Sequence, residues 1–188
     1  VRMDNKHIQF LIGKKHAYTY TDRRLLLQEL AQILKQGYVL YRELSNKGQV
    51  ELSFTPDNHP IIPLLLDFNK ARQALPDVAL PEDNYPGGFE RAEAQIEDGL
   101  AIFEQHFGKI PHGCWPAEGA VCLETLKLLE KKGLRWTASG GGVLKNSIEK
   151  YSKSGLCVHQ SFQFNGTAIN CFFRDDALSD MIGFTYSD

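Results

Sequence analysis

The sequence predicts an α/β fold with mostly parallel strands. Strand-like runs alternate with helical runs at intervals of roughly 25 to 35 residues, the rhythm of successive β-α units. The helical runs stop at glycine or proline: at Gly37, at Gly108 with Pro111 behind it, and at Gly133. No internal repeat, low-complexity tract or linker interrupts the series. Residues 1–188 are therefore expected to form one domain, long enough for a sizeable core.

Taken in order, Ile8 to Gly13 reads as a strand ended by glycine. Thr21-Asp22 opens a helix with Leu25, Leu26, Leu30, Ile33 and Leu34 at helical spacing. Gly37 stops it, and Tyr38 to Leu44 reads as a second helical piece. Gly48 to Phe54 alternates, with Val50, Leu52 and Phe54 on one face of a strand and Gln49, Glu51 and Ser53 on the other. Inside a barrel, or at its mouth, that polar face would line a site. After a turn at Thr55 to Asn58, an apolar helix begins at His59, with Pro60 tolerated in its first turn. Leu75 to Gly88 carries three prolines and two glycines and is a loop. Phe89 to Phe107 is a helix with Ala92, Ile96, Leu100 and Phe103 on one face. Gly119 to Lys132 reads as another helix, followed by a short buried strand at Leu134 to Ala138 and a turn at Ser139 to Gly142. Val158 to Phe164 and Thr167 to Phe173 flank Asn165-Gly166, a hairpin signal.

Composition narrows the function. The chain is 43% hydrophobic and 23% charged, with a net charge of -2. That removes the electrostatic case for nucleic acid or an anionic membrane as partner. The longest apolar run, Ile61 to Phe68, is interrupted by Pro63 and is too short to span a bilayer. Val1 to Lys15 is polar and mixed in charge, unlike a signal peptide. Cys114, Cys122, Cys157 and Cys171 form no C-x-x-C pair, and they suit a reducing, cytoplasmic setting. The six histidines, His7, His16, His59, His106, His112 and His159, include no helical pair at i, i+4. No G-x-S-x-G elbow occurs, and the glycines at 140–142 lack the Lys-Ser/Thr ending of a phosphate loop. No metal or cofactor is expected.

Two carboxylates remain. Trp115-Pro116 drives the chain into an extended conformation, so Glu118 falls where a strand gives way to a helix. There it is either a site residue or a helix cap. If the last strand reaches Asp175, then Phe173 and Asp175 share a face and the carboxyl sits on an aromatic, partly dry wall suited to a general acid. The alternative is an N-cap by Asp175 or Asp176. Two carboxyl groups flanking a glycosidic bond can cleave it, one as nucleophile and one as acid. Trp115, Phe173, Phe184 and Tyr186 offer flat apolar surface for sugar rings.

From Leu25 to Asp188 the sequence resembles glycoside hydrolase family 57, the α-amylase, amylopullulanase and 4-α-glucanotransferase group. Gly48-Gln49-Val50-Glu51, followed by His59-Pro60-Ile61-Ile62-Pro63-Leu64-Leu65, looks like the family's second conserved region and its extension. Cys114-Trp115-Pro116-Ala117-Glu118-Gly119 looks like the third. Phe173-Arg174-Asp175 with Leu178-Ser179-Asp180-Met181-Ile182-Gly183-Phe184 looks like the fourth. The resemblance implies part of an incomplete (β/α)7 barrel acting on an α-glucan or maltooligosaccharide with retention of configuration. It makes Glu118 the nucleophile and Asp175 the acid/base, and assigns substrate binding to Glu51, His59, Trp115, Arg174 and Asp180. Retention requires the two carboxyl groups about 5–5.5 Å apart.

The family's first region, a His-Gln-Pro, and its fifth region have no counterpart here, so a fragment of a longer protein is expected. The family often carries Asp-Glu after the strand at Trp136, where this chain has Gly140-Gly141. Two alternatives stand beside the hydrolase. One is a metal-dependent polysaccharide deacetylase, with His59 or His112 on zinc. The other is a non-catalytic carbohydrate-binding homologue. A cut barrel exposes strand edges, so pairing into a homo-oligomer is expected.

Overall fold

Three parallel strands, β1 (Gly113–Cys114), β2 (Trp136–Gly140) and β3 (Asn170–Arg174), lie side by side in that order. The register sets Gly113 opposite Trp136, and Trp136 to Gly140 opposite Asn170 to Arg174. Phe54 adds one parallel bridge to Cys114. In this computed structural model residues 5–148 and 157–186 are described. They belong to two compact units, Val1–Glu51 and Leu52–Asp188, and the sheet is in the second.

Parallel neighbours need a crossover, and helices supply it. Helix α6 (Leu123–Lys131) connects β1 to β2, and α7 (Gly141–Ser147) follows β2. Helix α5 (Gly88–Phe107) precedes β1. Its buried stripe of Ala92, Ile96 and Phe103 is the expected one, with Leu100 packed at its margin. Gly99 completes the stripe because the Phe54 ring lies 3.1 Å from where a Cβ would stand. Ile96, Leu129, Leu144 and Ile169 are fully buried and bring α5, α6, α7 and the start of β3 into one core. The α/β reading is therefore correct.

Several element boundaries differ from expectation. Phe54 alone of the alternating run at 48–54 pairs with the sheet, through Phe54 N–H to the Gly113 carbonyl (3.2 Å) and Trp115 N–H to the Phe54 carbonyl (2.9 Å). The helix expected from His59 begins later, as α3 (Ile62–Leu66), because Asn58 and His59 take left-handed backbone and Pro63 then occupies the first turn. A short 3-10 turn (Phe68–Lys70) leads into α4 (Ala71–Ala74). Lys70 Nζ meets Glu124 Oε1 at 2.8 Å and ties this segment to α6. The helix expected from Gly119 starts only at Leu123, after a separate 3-10 turn at Ala117–Gly119. The turn expected at Ser139 to Gly142 is divided between the end of β2 and the start of α7. The hairpin shrinks to one antiparallel bridge, Phe162 to Cys171, because β3 takes its main partner from β2. Past β3 come α8 (Asp176–Asp180) and a π-helical turn, Met181–Thr185.

In the first unit the strand expected at Ile8 to Gly13 is helix α1 (Lys6–Lys14). Ile8, Leu11 and Ile12 sit at i, i+3, i+4, a helical stripe, and the Asn5 side chain caps the start by accepting from the His7 and Ile8 amides at 3.0 Å. Helix α2 (Tyr20–Asn46) runs straight through Gly37. One glycine costs a helix about 1 kcal/mol relative to alanine, too little to break one this long. Thr19 and Asp22 form a capping box at its start. The Lys14 ammonium first, then the Thr19 donors, hold Asp22 down at about 2.

Two glycines separate propensity from packing. Nothing lies within 4 Å of a Cβ placed on Gly37, whereas one on Gly88 would stand 1.8 Å from the Leu65 carbonyl oxygen. Gly37→Ala is expected to stabilise α2 by about 1 kcal/mol. Gly88→Ala should lower the thermal midpoint followed by circular dichroism, since backbone must move. The Lys70–Glu124 pair gives a pH signature. Lys70 holds the Glu124 carboxyl down at about 2, from 4.5. A depressed carboxyl pKa stabilises the fold above the unfolded value, and that contribution is lost as pH falls toward the folded one. With Glu124 half exposed, Glu124→Gln should cost less than about 1 kcal/mol at pH 7. The difference from wild type should vanish in urea titrations between pH 4.5 and 2.

Candidate active site

The chain leaves β1 through a turn held from both sides. Thr55 Oγ1 donates to the Trp115 carbonyl at 2.8 Å. Pro116 and Ala117 are buried. Ser139 Oγ, from β2, donates to the Gly119 carbonyl at 2.5 Å. Between these anchors Glu118 takes φ 55°, ψ 15°, a left-handed conformation uncommon for a residue with a side chain. Its side chain is 76% exposed and caps nothing: Cys122 is the N-cap of α6, with no side-chain cap. The helix-cap alternative for Glu118 is thereby removed. A second left-handed residue, His59 at φ 54°, faces it, with Nε2 3.3 Å from Glu118 Oε1.

His59, Trp115, Glu118, Arg174 and Asp180 line one cleft of about 520 Å³. Its remaining wall includes Gly140, Gly142, Asn146 and Asp176. Five residues named from sequence thus converge over the carboxyl ends of the strands, the usual place for a site in an open parallel sheet. Glu118 and Gly119 also border a second, more apolar groove of about 790 Å³, walled by Ile61, Leu64, Ala71, Val121 and others. Glu118 therefore stands between a polar cleft and an apolar groove.

The two adjacent aspartates differ. Asp175 does not line the cleft. It caps α8, its Oδ1 accepting from Leu178 N–H at 3.1 Å, and its Oδ2 is 4.0 Å from His159 Nε2. Asp176 does line the cleft. It accepts from Arg174 Nε at 2.9 Å and from Gly142 N–H at 3.0 Å. The Arg174 guanidinium first, and the Gly142 amide second, keep the Asp176 carboxyl below its ordinary range. The sequence alone places Asp176 only as a possible cap, although a signal for more is present in Arg174, two residues away. Glu51 is exposed and belongs to the first unit. Among the described residues no three His, Cys, Asp or Glu side chains are grouped to hold a metal ion, and no helix is long and apolar enough to cross a membrane.

Comparisons with known proteins bear on the fold. The α-amylase AmyC of Thermotoga maritima has a similar fold over 94% of this chain, at 14% identity and a TM-score of 0.60. A GH57-type branching enzyme of Pyrococcus horikoshii matches 92% of the chain at 20% identity and 0.54. The 4-alpha-glucanotransferase of Thermococcus litoralis matches 85% at 19% identity and 0.52. The chain spans 31%, 29% and 22% of those structures respectively. No curated protein matches it significantly. The sequence model of glycosyl hydrolase family 57 matches residues 3–188, nearly the whole length, and the chain belongs to that family.

Proposed function

We propose that the protein is a retaining α-glucan hydrolase or glucanotransferase, in which residues 1–188 form part of an incomplete (β/α)7 barrel. One observation carries the reading: Glu118, in the block that resembles the family's nucleophile region, projects into an open cleft from a left-handed turn that its neighbours hold rigidly. A strained backbone that persists because its surroundings over-determine it is a mark of functional positions.

In this reading Glu118 attacks the anomeric carbon and expels the leaving sugar, forming a covalent glycosyl-enzyme ester. Asp175 gives its proton to the departing oxygen. It then takes one from water or from an acceptor sugar, whose oxygen displaces Glu118. His59 steadies the Glu118 carboxylate before attack. Trp115 offers a flat face for a sugar ring, and Arg174 and Asp180 bind hydroxyls from the other wall. The apolar groove beyond Glu118 leaves room for the glucan chain to continue. Asp176 is the weaker candidate for the acid, because Arg174 and Gly142 hold its carboxyl below the ordinary range, the wrong direction for a proton donor. Asp175 caps α8, and catalytic contacts often form fully only in the substrate complex. Glu51 is assigned to substrate binding on its sequence block alone.

The test incubates the full-length protein with maltooligosaccharides, with product lengths followed by chromatography and anomeric configuration by proton NMR. Wild type should release products of retained configuration. Asp175→Asn should lose about 10²–10⁴-fold in rate, and Glu118→Gln should lose more. Inverted product, or unchanged turnover in Glu118→Gln, sinks the assignment. Glu118→Gly is a separate check on strain. Relief of a left-handed residue is worth about 1–2 kcal/mol, and the added freedom of glycine costs about 0.5–1 kcal/mol. The variant should therefore melt slightly higher than wild type while losing activity, and a lower melting temperature would show the turn to be unstrained.

A further inference from the structure

The Asp176 carboxylate joins two loops that carry different parts of the cleft. Oδ1 receives Arg174 Nε from the end of β3. Oδ2 receives the Gly142 amide from the start of α7. The glycines at 140–142 are what let it come this close. A Cβ on Gly140 would stand 3.3 Å from Asp176 Oδ1. One on Gly141 would stand 2.9 Å from the Arg174 carbonyl oxygen and 3.4 Å from Asp176 Oδ2. A pair of acidic side chains at 140 and 141 would push α8 and the end of β3 away from this junction. The glycine pair and Asp176 thus belong together.

Arg174 is about half exposed. A guanidinium so placed samples many rotamers, and ordering it on binding costs affinity. It has five N–H donors in a rigid fork. Fixing the Nε edge sets the direction of the whole plane. We propose that Asp176 is a positioning residue: it clamps Arg174 to the Gly140–Gly142 junction, so that the guanidinium stands ready on the cleft wall for the hydroxyl groups of an α-glucan. The identity of the ligand rests on the function proposed above; the clamp itself does not.

The experiment uses the full-length protein and maltotriose. Three quantities are measured: the Arg174 Nε–H signal by 15N NMR, the Kd for maltotriose by chemical-shift titration, and the melting temperature. In Asp176→Asn the Arg174 signal should move toward that of a solvent-exposed arginine and exchange faster with water. The Kd should rise about tenfold, with the melting temperature within about 5 °C of wild type. Gly141→Ala, which leaves every charged group in place, should produce the same loss of signal and affinity. Should Asp176→Asn fail to fold, Gly141→Ala decides alone. An Arg174 signal unchanged in the variants overturns the clamp. A signal that shifts while the Kd stays the same makes the contact structural only, and also overturns the proposal. Wild-type chain that binds no maltotriose counts against the glucan reading, and the Arg174 signal still decides the clamp.

Discussion

The short hydrogen bond from Ser139 Oγ to the Gly119 carbonyl is the constraint on which the site depends. A side-chain-bearing residue in left-handed conformation gives up about 1–2 kcal/mol, so Glu118 stays there only while both ends of its turn are fixed. Three hydroxyls share the task. Thr137 Oγ1 donates to the Cys114 carbonyl at 2.9 Å, Thr55 Oγ1 to that of Trp115, and Ser139 Oγ to that of Gly119. Each comes from a segment flanking β1. Carbonyls at and beyond the end of β1 are thus satisfied by side chains of neighbouring segments, which hold the chain on both sides of Glu118. Thr137 and Ser139 are buried, so they act where a hydrogen bond is least weakened by solvent.

The sheet does the rest. Because β2 and β3 pair from Trp136–Asn170 to Gly140–Arg174, they end level with one another. The segments leaving the three strands therefore meet at one edge: the Glu118 turn after β1, the glycine junction after β2, and Arg174 with its aspartates at the end of β3. Residues far apart in the chain become neighbours through strand register and not through any long reach of side chains. Packing beneath makes the register hold. Leu129 of α6 and Ile169 at the entrance to β3 are both fully buried, and a one-residue slip in a strand would carry its buried set to the other face.

Much of this was legible in the residues, and the remainder was hidden for physical reasons. The stripe of α5 and its glycine stop could be read because helix periodicity and capping are local. The site block at Cys114 to Gly119 could be read because Trp-Pro restricts the backbone in a way that residue types alone reveal. The 48–54 run misled because alternation reports which faces are polar, not whether a partner strand is present; only Phe54 finds one. Gly37 misled for the opposite reason: its local cost is small beside the cooperativity of a 27-residue helix. Asp176 could be noticed but not placed. Its role comes from the Gly142 amide, thirty-four residues away, and no spacing rule connects the two.

Asp175 and Asp176 show how finely position can divide labour between identical side chains. They are consecutive, and the backbone turns from strand to helix between them. Asp175, at the cap, directs one oxygen along the α8 axis to the Leu178 amide. Asp176, one step into the helix, is rotated toward Arg174 and the α7 amide. A carboxylate that receives a guanidinium and a backbone N–H resists protonation, and that suits a fixed electrostatic anchor. The same junction needs small residues opposite it, because the Asp176 carboxylate and the Arg174 carbonyl already fill the space. Gly140 and Gly141 answer that need, so the glycine pair and the placement of Asp176 are two sides of one packing arrangement.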